Sequence, residues 1–211
     1  MSAAGRVLAP SRSGMLWERF VSGSGLTIAL VLAVLLAVTW PIFEARWVAL
    51  PIPVPLVAVG GLALAAYVVL SNAHAYQGHM FAVIIGGALA LVAGMAVVDG
   101  GDSGERLRAL FASLAAWVAA VPTDEVRQGI PEFAVFITAL AWVLGYLGGW
   151  WVLRARTAWP LVLLGALVLL LVLSNVGTGA TLRLALFMAA SALLLIHVST
   201  IRRLSIWRDK R

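Results

Sequence analysis

The chain has 211 residues, of which 63% are hydrophobic and 11% are charged, and its formal net charge is +6. Because a soluble domain has about 25% charged residues, this composition excludes a water-soluble globular fold. The absence of cysteine excludes disulfides, thiolate metal sites and cysteine nucleophiles within the chain. Its basic residues are scattered at the ends of apolar segments, so nucleic acid is not a predicted partner.

Residues 1–24 precede the first apolar segment and include Arg6, Arg12 and Arg19. Basic residues before an apolar run also occur in signal peptides. The run that follows is longer than a signal-peptide core and has no obvious small-residue cleavage pattern, so we interpret it as an uncleaved first span. Residues 1–24 are therefore predicted to form a cytoplasmic N-terminal segment.

Six apolar segments approach the length of about 20 residues that a helix needs to cross a bilayer. They lack the two-residue alternation of barrel strands, which predicts helices throughout. The expected fold is an all-α polytopic membrane bundle over residues 25–198, followed by a basic cytoplasmic tail over residues 199–211. The predicted spans are residues 25–43, 54–70, 80–98, 133–153, 158–173 and 182–198.

The distribution of basic residues predicts the orientation of this bundle. With a cytoplasmic N-terminus, ten of the 15 Lys and Arg residues face the cytoplasm, as the positive-inside rule requires, and both termini are cytoplasmic. Tryptophans, among them Trp142 and Trp159, are assigned mostly to the headgroup layer near span ends. The cytoplasmic basic residues are then Arg6, Arg12, Arg19, Arg154, Arg156, Arg202, Arg203, Arg208, Lys210 and Arg211.

The longest connection between predicted spans, from Asp99 to Glu132, contains apolar side chains at helical spacing. This pattern predicts an amphipathic helix over about residues 104–121 that lies on the outer leaflet, with burial against the bundle as the alternative. Pro122 is expected to end the helix. The apolar stripe consists of Leu107, Leu110, Phe111, Leu114, Trp117, Val118 and Val121.

Small residues recur four positions apart in three of the predicted spans. Such rows allow helix backbones to approach each other closely. We interpret them as packing surfaces within this bundle, and an interface with another subunit is the alternative. The candidate helix-packing residues are Gly61, Ala65, Gly86, Ala90, Gly94, Gly145 and Gly149.

The centres of the predicted spans lack ionisable side chains, a pattern that does not favour an ion transporter or proton channel. Arg183, His197 and Glu132 lie near span ends, where structural or snorkelling roles are expected. His74 and His79 are placed in a solvated inner loop, and their spacing does not match a helical metal pair. No catalytic, cofactor-binding or metal-binding residue is predicted.

Two stretches of the sequence resemble a known family. Residues 38–47 read Val-Thr-Trp-Pro-Ile-Phe-Glu-Ala-Arg-Trp, and a Pro-containing second span follows. Residues 141–160 read Ala-Trp-Val-Leu-Gly-Tyr-Leu-Gly-Gly-Trp-Trp-Val-Leu-Arg-Ala-Arg-Thr-Ala-Trp-Pro. Together with residues 172–175 and the basic run 202–211, they resemble the N-terminal membrane domain of bacterial membrane-anchored transglutaminase-like proteins. The likeness covers nearly the whole chain in layout and is carried by hydrophobic motifs.

In that family a further span leads to an extracytoplasmic domain with a papain-like Cys, His and Asp triad. The resemblance therefore implies a multi-pass domain of a bacterial cytoplasmic membrane that anchors and orients a downstream catalytic domain or a partner protein. Because the chain has no cysteine, it is not expected to be an enzyme on its own. The alternatives are a small structural subunit of a larger membrane complex and a transporter of apolar or lipid-like molecules.

Overall fold

The computed structural model describes residues 25–46, 50–71, 74–120, 130–174 and 180–208, and within these ranges every regular element is an α-helix. The predicted N-terminal segment 1–24 and the last residues of the basic tail, 209–211, lie outside the described residues. The helices are α1 (Gly25–Ala45), α2 (Val54–Leu70), α3 (Ala75–Val97), α4 (Ser103–Ala120), α5 (Ile130–Leu153), α6 (Trp159–Leu173) and α7 (Ala180–Arg208).

The predicted all-α membrane fold is confirmed. Four of the described helices, α1, α3, α5 and α7, contain stretches that are long and apolar enough to cross a membrane. α2 and α6 are equally apolar but have 17 and 15 residues. At a rise of 1.5 Å per residue they extend roughly 25 and 22 Å, slightly less than a hydrocarbon core of about 30 Å. These helices indicate a multi-pass membrane protein, and complete spanning by α2 and α6 stays a prediction.

Prolines help to set where the helices begin. α2 and α6 each have a proline in the first turn, Pro55 and Pro160, and Pro131 is the second residue of α5. Proline suits this position because the first amides of a helix have no partner within the helix. α4 begins differently, because the Asp102 carboxylate accepts a hydrogen bond from the amide of Glu105 at 2.7 Å and so caps the helix.

α5 lies at the centre of the bundle. It packs most extensively on α2 and then on α3, and it also contacts α1, α4 and α6. The second centre is α1, which packs against α7, α2 and α6. The buried core connects the helices around α5 with the helices around α1. It includes Leu35, Leu144 and Leu169, each at most 1% exposed.

Contacts between distant residues fix the direction of each helix. α1 and α7 are antiparallel, because Glu44 contacts Arg183 near one end and Thr27 contacts His197 towards the other. α3 and α5 are likewise antiparallel. The bundle therefore has two ends, which we name by their contents. The α4 end holds α4 and the first turns of α5 and α7, and the basic end holds the turn between α5 and α6 and the last turns of α7.

α4 matches the predicted amphipathic helix in extent, but one face of it packs on the bundle. Leu110 is fully buried, and it lies against Gly94 of α3. Phe111 and Val118, which the sequence places on the same stripe, are 53% and 63% exposed. The apolar stripe of α4 is thus wider than the surface that contacts the bundle. The alternative prediction, burial against the bundle, holds for the part of the stripe around Leu110.

α3 and α7 extend furthest beyond their predicted spans. α3 begins at Ala75 instead of Met80, so the predicted solvated loop through His79 is wrong. α7 continues to Arg208, so the predicted tail is helical through that residue. Both differences have one cause: hydropathy marks the apolar part of a helix, whereas backbone hydrogen bonding can continue through polar residues beyond it.

Candidate functional site

The α2–α5 interface brings two of the candidate helix-packing residues together. A Cβ on Gly61 would lie 2.7 Å from the carbonyl oxygen of Trp142 and 2.8 Å from the amide nitrogen of Tyr146. A Cβ on Gly145 would overlap the carbonyl oxygen of Ala58. Because the obstructing atoms belong to backbone, no rotamer change could make room for a larger side chain.

The same interface continues towards the basic end. A Cβ on Gly149 would lie 2.8 Å from Leu62 Cδ1 and 3.0 Å from the Cβ of Ala65, which is fully buried. Gly61, Ala65, Gly145 and Gly149 therefore lie along one surface between α2 and α5. This surface faces inward, within one copy of the chain.

The small residues of α3 face α5 and α4. Gly86 lies against the indole of Trp142, and Gly94 lies between Val135 and Leu110, where a Cβ added to the glycine would lie 3.0 Å from Leu110 Cδ1. Ala90, between these glycines, is 5% exposed. Together with the α2–α5 surface, these contacts place every candidate helix-packing residue inside the bundle.

Trp142 links three helices in the middle of the core. Its indole Nε1–H donates a hydrogen bond of 2.8 Å to the carbonyl oxygen of Ala82 on α3, and the side chain is 6% exposed. Its ring also approaches Gly60 of α2. The predicted headgroup position for Trp142 is wrong, because Gly60 and Gly86 leave room for the indole within the bundle.

An aromatic cluster lies between α3 and α5 towards the basic end. The hydroxyl of Tyr146 and Nδ1 of His79 are 3.0 Å apart, and the two rings meet edge to face. The Trp150 ring centroid lies 4.6 Å from that of His79. Since Tyr146 is 4% exposed, its hydroxyl needs such a partner. His79 therefore joins two helices and is half-buried.

Thr27 and His197 form a polar contact between α1 and α7 towards the basic end. Thr27 Oγ1 and His197 Nε2 are 3.0 Å apart, and Thr27 is 7% exposed. A hydrogen bond between helices satisfies polar groups that would otherwise face hydrocarbon. This contact gives His197 a structural partner on α1.

Glu44 and Arg183 join the same two helices at the α4 end. Arg183 Nη2 and Glu44 Oε2 are 2.5 Å apart, with side-chain exposures of 23% and 41%. The indole Nε1–H of Trp40 donates to Glu44 Oε1 at 2.8 Å. The Glu44 carboxylate therefore has a partner for each oxygen, and both side chains of the ion pair are partly exposed.

Glu132 is the most buried carboxyl group of the described chain, at 8% exposure. The hydroxyl of Ser113 on α4 donates a hydrogen bond to its Oε1. Glu132 lies in the first turn of α5, where a negative charge is favoured by the helix dipole. The contact ties α4 to α5 beside the buried Leu110.

These arrangements are contacts between helices. Within the described residues, no three His, Cys, Asp or Glu side chains lie close enough together to hold a metal ion. The His79–Tyr146 and Trp142–Ala82 contacts could not be predicted from the sequence. Their partners are 67 and 60 positions apart, and whether such residues meet depends on how each helix is rotated about its axis. Comparison with protein-family models, curated proteins and solved structures finds no match for this chain.

Proposed function

We propose that this chain is a membrane-anchoring and orienting domain, and that the module it anchors is a transglutaminase-like catalytic domain. The observation that carries the anchoring role is the close packing of α2 and α3 on α5. Glycines bring these helices into direct contact there, and such an interface resists relative sliding of the helices. A bundle of this kind is suited to holding an attached module in a fixed position.

The placement of charges supports anchoring over ion transport. Ion pumps and transporters usually have ionisable side chains near the middle of the membrane. In the described parts of the six apolar helices, Asp, Glu, Lys and Arg residues lie within about two turns of a helix end. The polar contacts of Glu44, Glu132 and Arg183 each join one helix to another.

The identity of the anchored module is proposed from the sequence resemblance at residues 38–47 and 141–160. Both stretches contain residues that make contacts between helices of the bundle. The first includes the end of α1 with Glu44, and the second includes the packing surface of α5 and the turn into α6. The resemblance thus involves residues that build the scaffold.

The test is to read the native transcript past the codon for Arg211 and to analyse the native size of the protein in mild detergent. We expect a further apolar segment and then a soluble region with Cys, His and Asp, or a separate partner of that kind that copurifies. A stop codon directly after Arg211, with no module copurifying, would contradict the proposal. Acyl-transfer activity of the purified 211-residue chain would contradict the non-catalytic role.

A further inference from the structure

The turn between α5 and α6 places two arginines and a tryptophan at the basic end of the bundle. Arg154, Arg156 and Trp159 are all exposed, Trp159 by 60%. The turn is ordered by backbone hydrogen bonds, since the amides of Arg154 and Thr157 donate to the carbonyl oxygens of Trp150 and Trp151 at 2.8 and 3.2 Å. Both guanidinium groups are therefore carried by a short, fixed segment.

Arg156 has a backbone conformation that favours glycine. Its φ is 50°, in the left-handed region, where a residue with a Cβ is strained. Helices commonly end with glycine in this conformation, because glycine adopts it without that cost. The sequence has an arginine here instead, so replacing Arg156 by glycine is expected to relieve this strain.

The charges around this turn differ from those at the other end. In the part of the chain that the structure describes, the basic end has Arg154, Arg156, Arg202, Arg203 and Arg208 and no acidic residue. At the α4 end the arginines lie among carboxylates. Those carboxylates are Glu44, Asp99, Asp102, Glu105 and Glu132.

We infer that the Arg154–Arg156 turn binds the phosphate of an anionic lipid headgroup. Guanidinium groups bind phosphate through paired, charge-assisted hydrogen bonds. The exposed Trp159 next to the turn suits the headgroup layer, where an aromatic ring with a polar edge is favoured. A lipid therefore matches the site better than free phosphate does, because its headgroup meets the arginines while its glycerol and acyl parts meet Trp159 and the apolar surface of α6.

The α4 end supplies a matched control. Arg46 follows the end of α1, is exposed, and has φ of 48°, so it shares the strain and charge of Arg156 at the opposite end of the bundle. Replacing either arginine by glycine removes one charge and relieves one strained residue. The variants Arg46→Gly and Arg156→Gly therefore differ in position alone.

The experiment measures thermal unfolding of the full chain in detergent micelles, titrated with phosphatidylglycerol or phosphatidylcholine. We expect phosphatidylglycerol to stabilise the wild type and Arg46→Gly alike, and phosphatidylcholine to stabilise neither. Arg154→Gln and Arg156→Gly should each weaken the apparent affinity for phosphatidylglycerol roughly tenfold, which corresponds to about 1.4 kcal/mol. In phosphatidylcholine, Arg156→Gly should unfold at the same or a higher temperature than the wild type.

Three results would overturn the inference. One is unchanged stabilisation of Arg154→Gln and Arg156→Gly by phosphatidylglycerol. Another is an equal loss in Arg46→Gly, which would indicate a general effect of charge. The third is equal stabilisation of the wild type by inorganic phosphate, which would make the ligand a free anion. If Arg154→Gln loses helical content, Arg156→Gly alone decides between these outcomes.

Discussion

The α2–α5 and α1–α7 interfaces hold helices together in different ways. At the first, glycines bring backbone atoms of the two helices into contact along the interface. At the second, a hydrogen bond and an ion pair lie near opposite ends of the contact between the two helices. In the most apolar stretch of α5, 56% of the residues are buried inside the bundle, whereas in that of α7 the share is 22%.

The difference illustrates how helices associate in a lipid environment. Lipid tails are as apolar as leucine, so burying leucine against another helix gains little. Close backbone packing and hydrogen bonds between helices are the remaining sources of stability. α2 and α5 depend on the first source and α7 depends more on the second, so substitutions in the two interfaces should differ in cost.

The largest effect is expected at Gly145. Its Cβ position overlaps the carbonyl oxygen of Ala58, so Gly145→Ala must separate α2 from α5. We expect a loss of about 3 kcal/mol in the free energy of unfolding, measured by denaturation in mixed micelles. Gly87→Ala is the control, because nothing lies within 4 Å of its Cβ position, and it should be neutral or stabilising. Equal effects of the two substitutions would contradict the packing.

Two adjacent glycines sharpen the comparison within α2. A Cβ added to Gly61 would lie 2.7 Å from the backbone of α5, whereas a Cβ added to Gly60 would lie at an ordinary contact distance of 3.4 Å from the Trp142 ring. Gly61→Ala should therefore cost about 2 kcal/mol of unfolding free energy, and Gly60→Ala should cost less than about 0.5 kcal/mol. The same micelle denaturation measures both. A greater loss in Gly60→Ala would mean that α2 is rotated from the position described.

A smaller effect is expected for the Thr27–His197 contact between α1 and α7. A double-mutant cycle with Thr27→Val and His197→Phe measures its coupling energy in the same assay. We expect about 0.6 kcal/mol, the usual value for hydrogen bonds between membrane helices. Thr39→Val is a suitable control, because the Thr39 hydroxyl donates to Leu35 within α1 and should show no coupling to His197. A coupling energy of zero for Thr27 would mean that this contact does not stabilise the pair of helices.

The smallest effect is expected for the Glu44–Arg183 ion pair. Both side chains are partly exposed, so solvent screens their attraction. A cycle with Glu44→Gln and Arg183→Gln should give a coupling energy of at most about 0.5 kcal/mol, falling as salt is added. A value that exceeds that of Thr27–His197 would reverse the expected order.

The positions of the helices could be predicted from the sequence, because apolar length is a local property. α2 begins and ends at the predicted residues Val54 and Leu70, and α1 begins at the predicted Gly25. The start of α3 and the end of α7 could not be predicted in this way. Residues 75–79 are largely polar or small but still complete helical hydrogen bonds, so hydropathy alone passes over them.

The candidate packing residues could be chosen from their size and spacing, but their partners could not. The sequence indicates that Gly145 allows a close approach, yet only the rotation of α2 brings Ala58 opposite to it. The same holds for Trp142 and His79. Their partners, Ala82 and Tyr146, lie on other helices, and no local pattern predicts those pairs.

The most direct test of the multi-pass bundle is whether α3 separates two aqueous compartments. His74 precedes this helix and Asp102 follows it, and both are exposed at opposite ends of the bundle. Because the chain has no cysteine, His74→Cys and Asp102→Cys can be labelled without background by a membrane-impermeant maleimide on sealed vesicles. We expect the two positions to react from opposite sides of the membrane. Labelling of both positions from the same side would contradict a multi-pass bundle with this arrangement of helices.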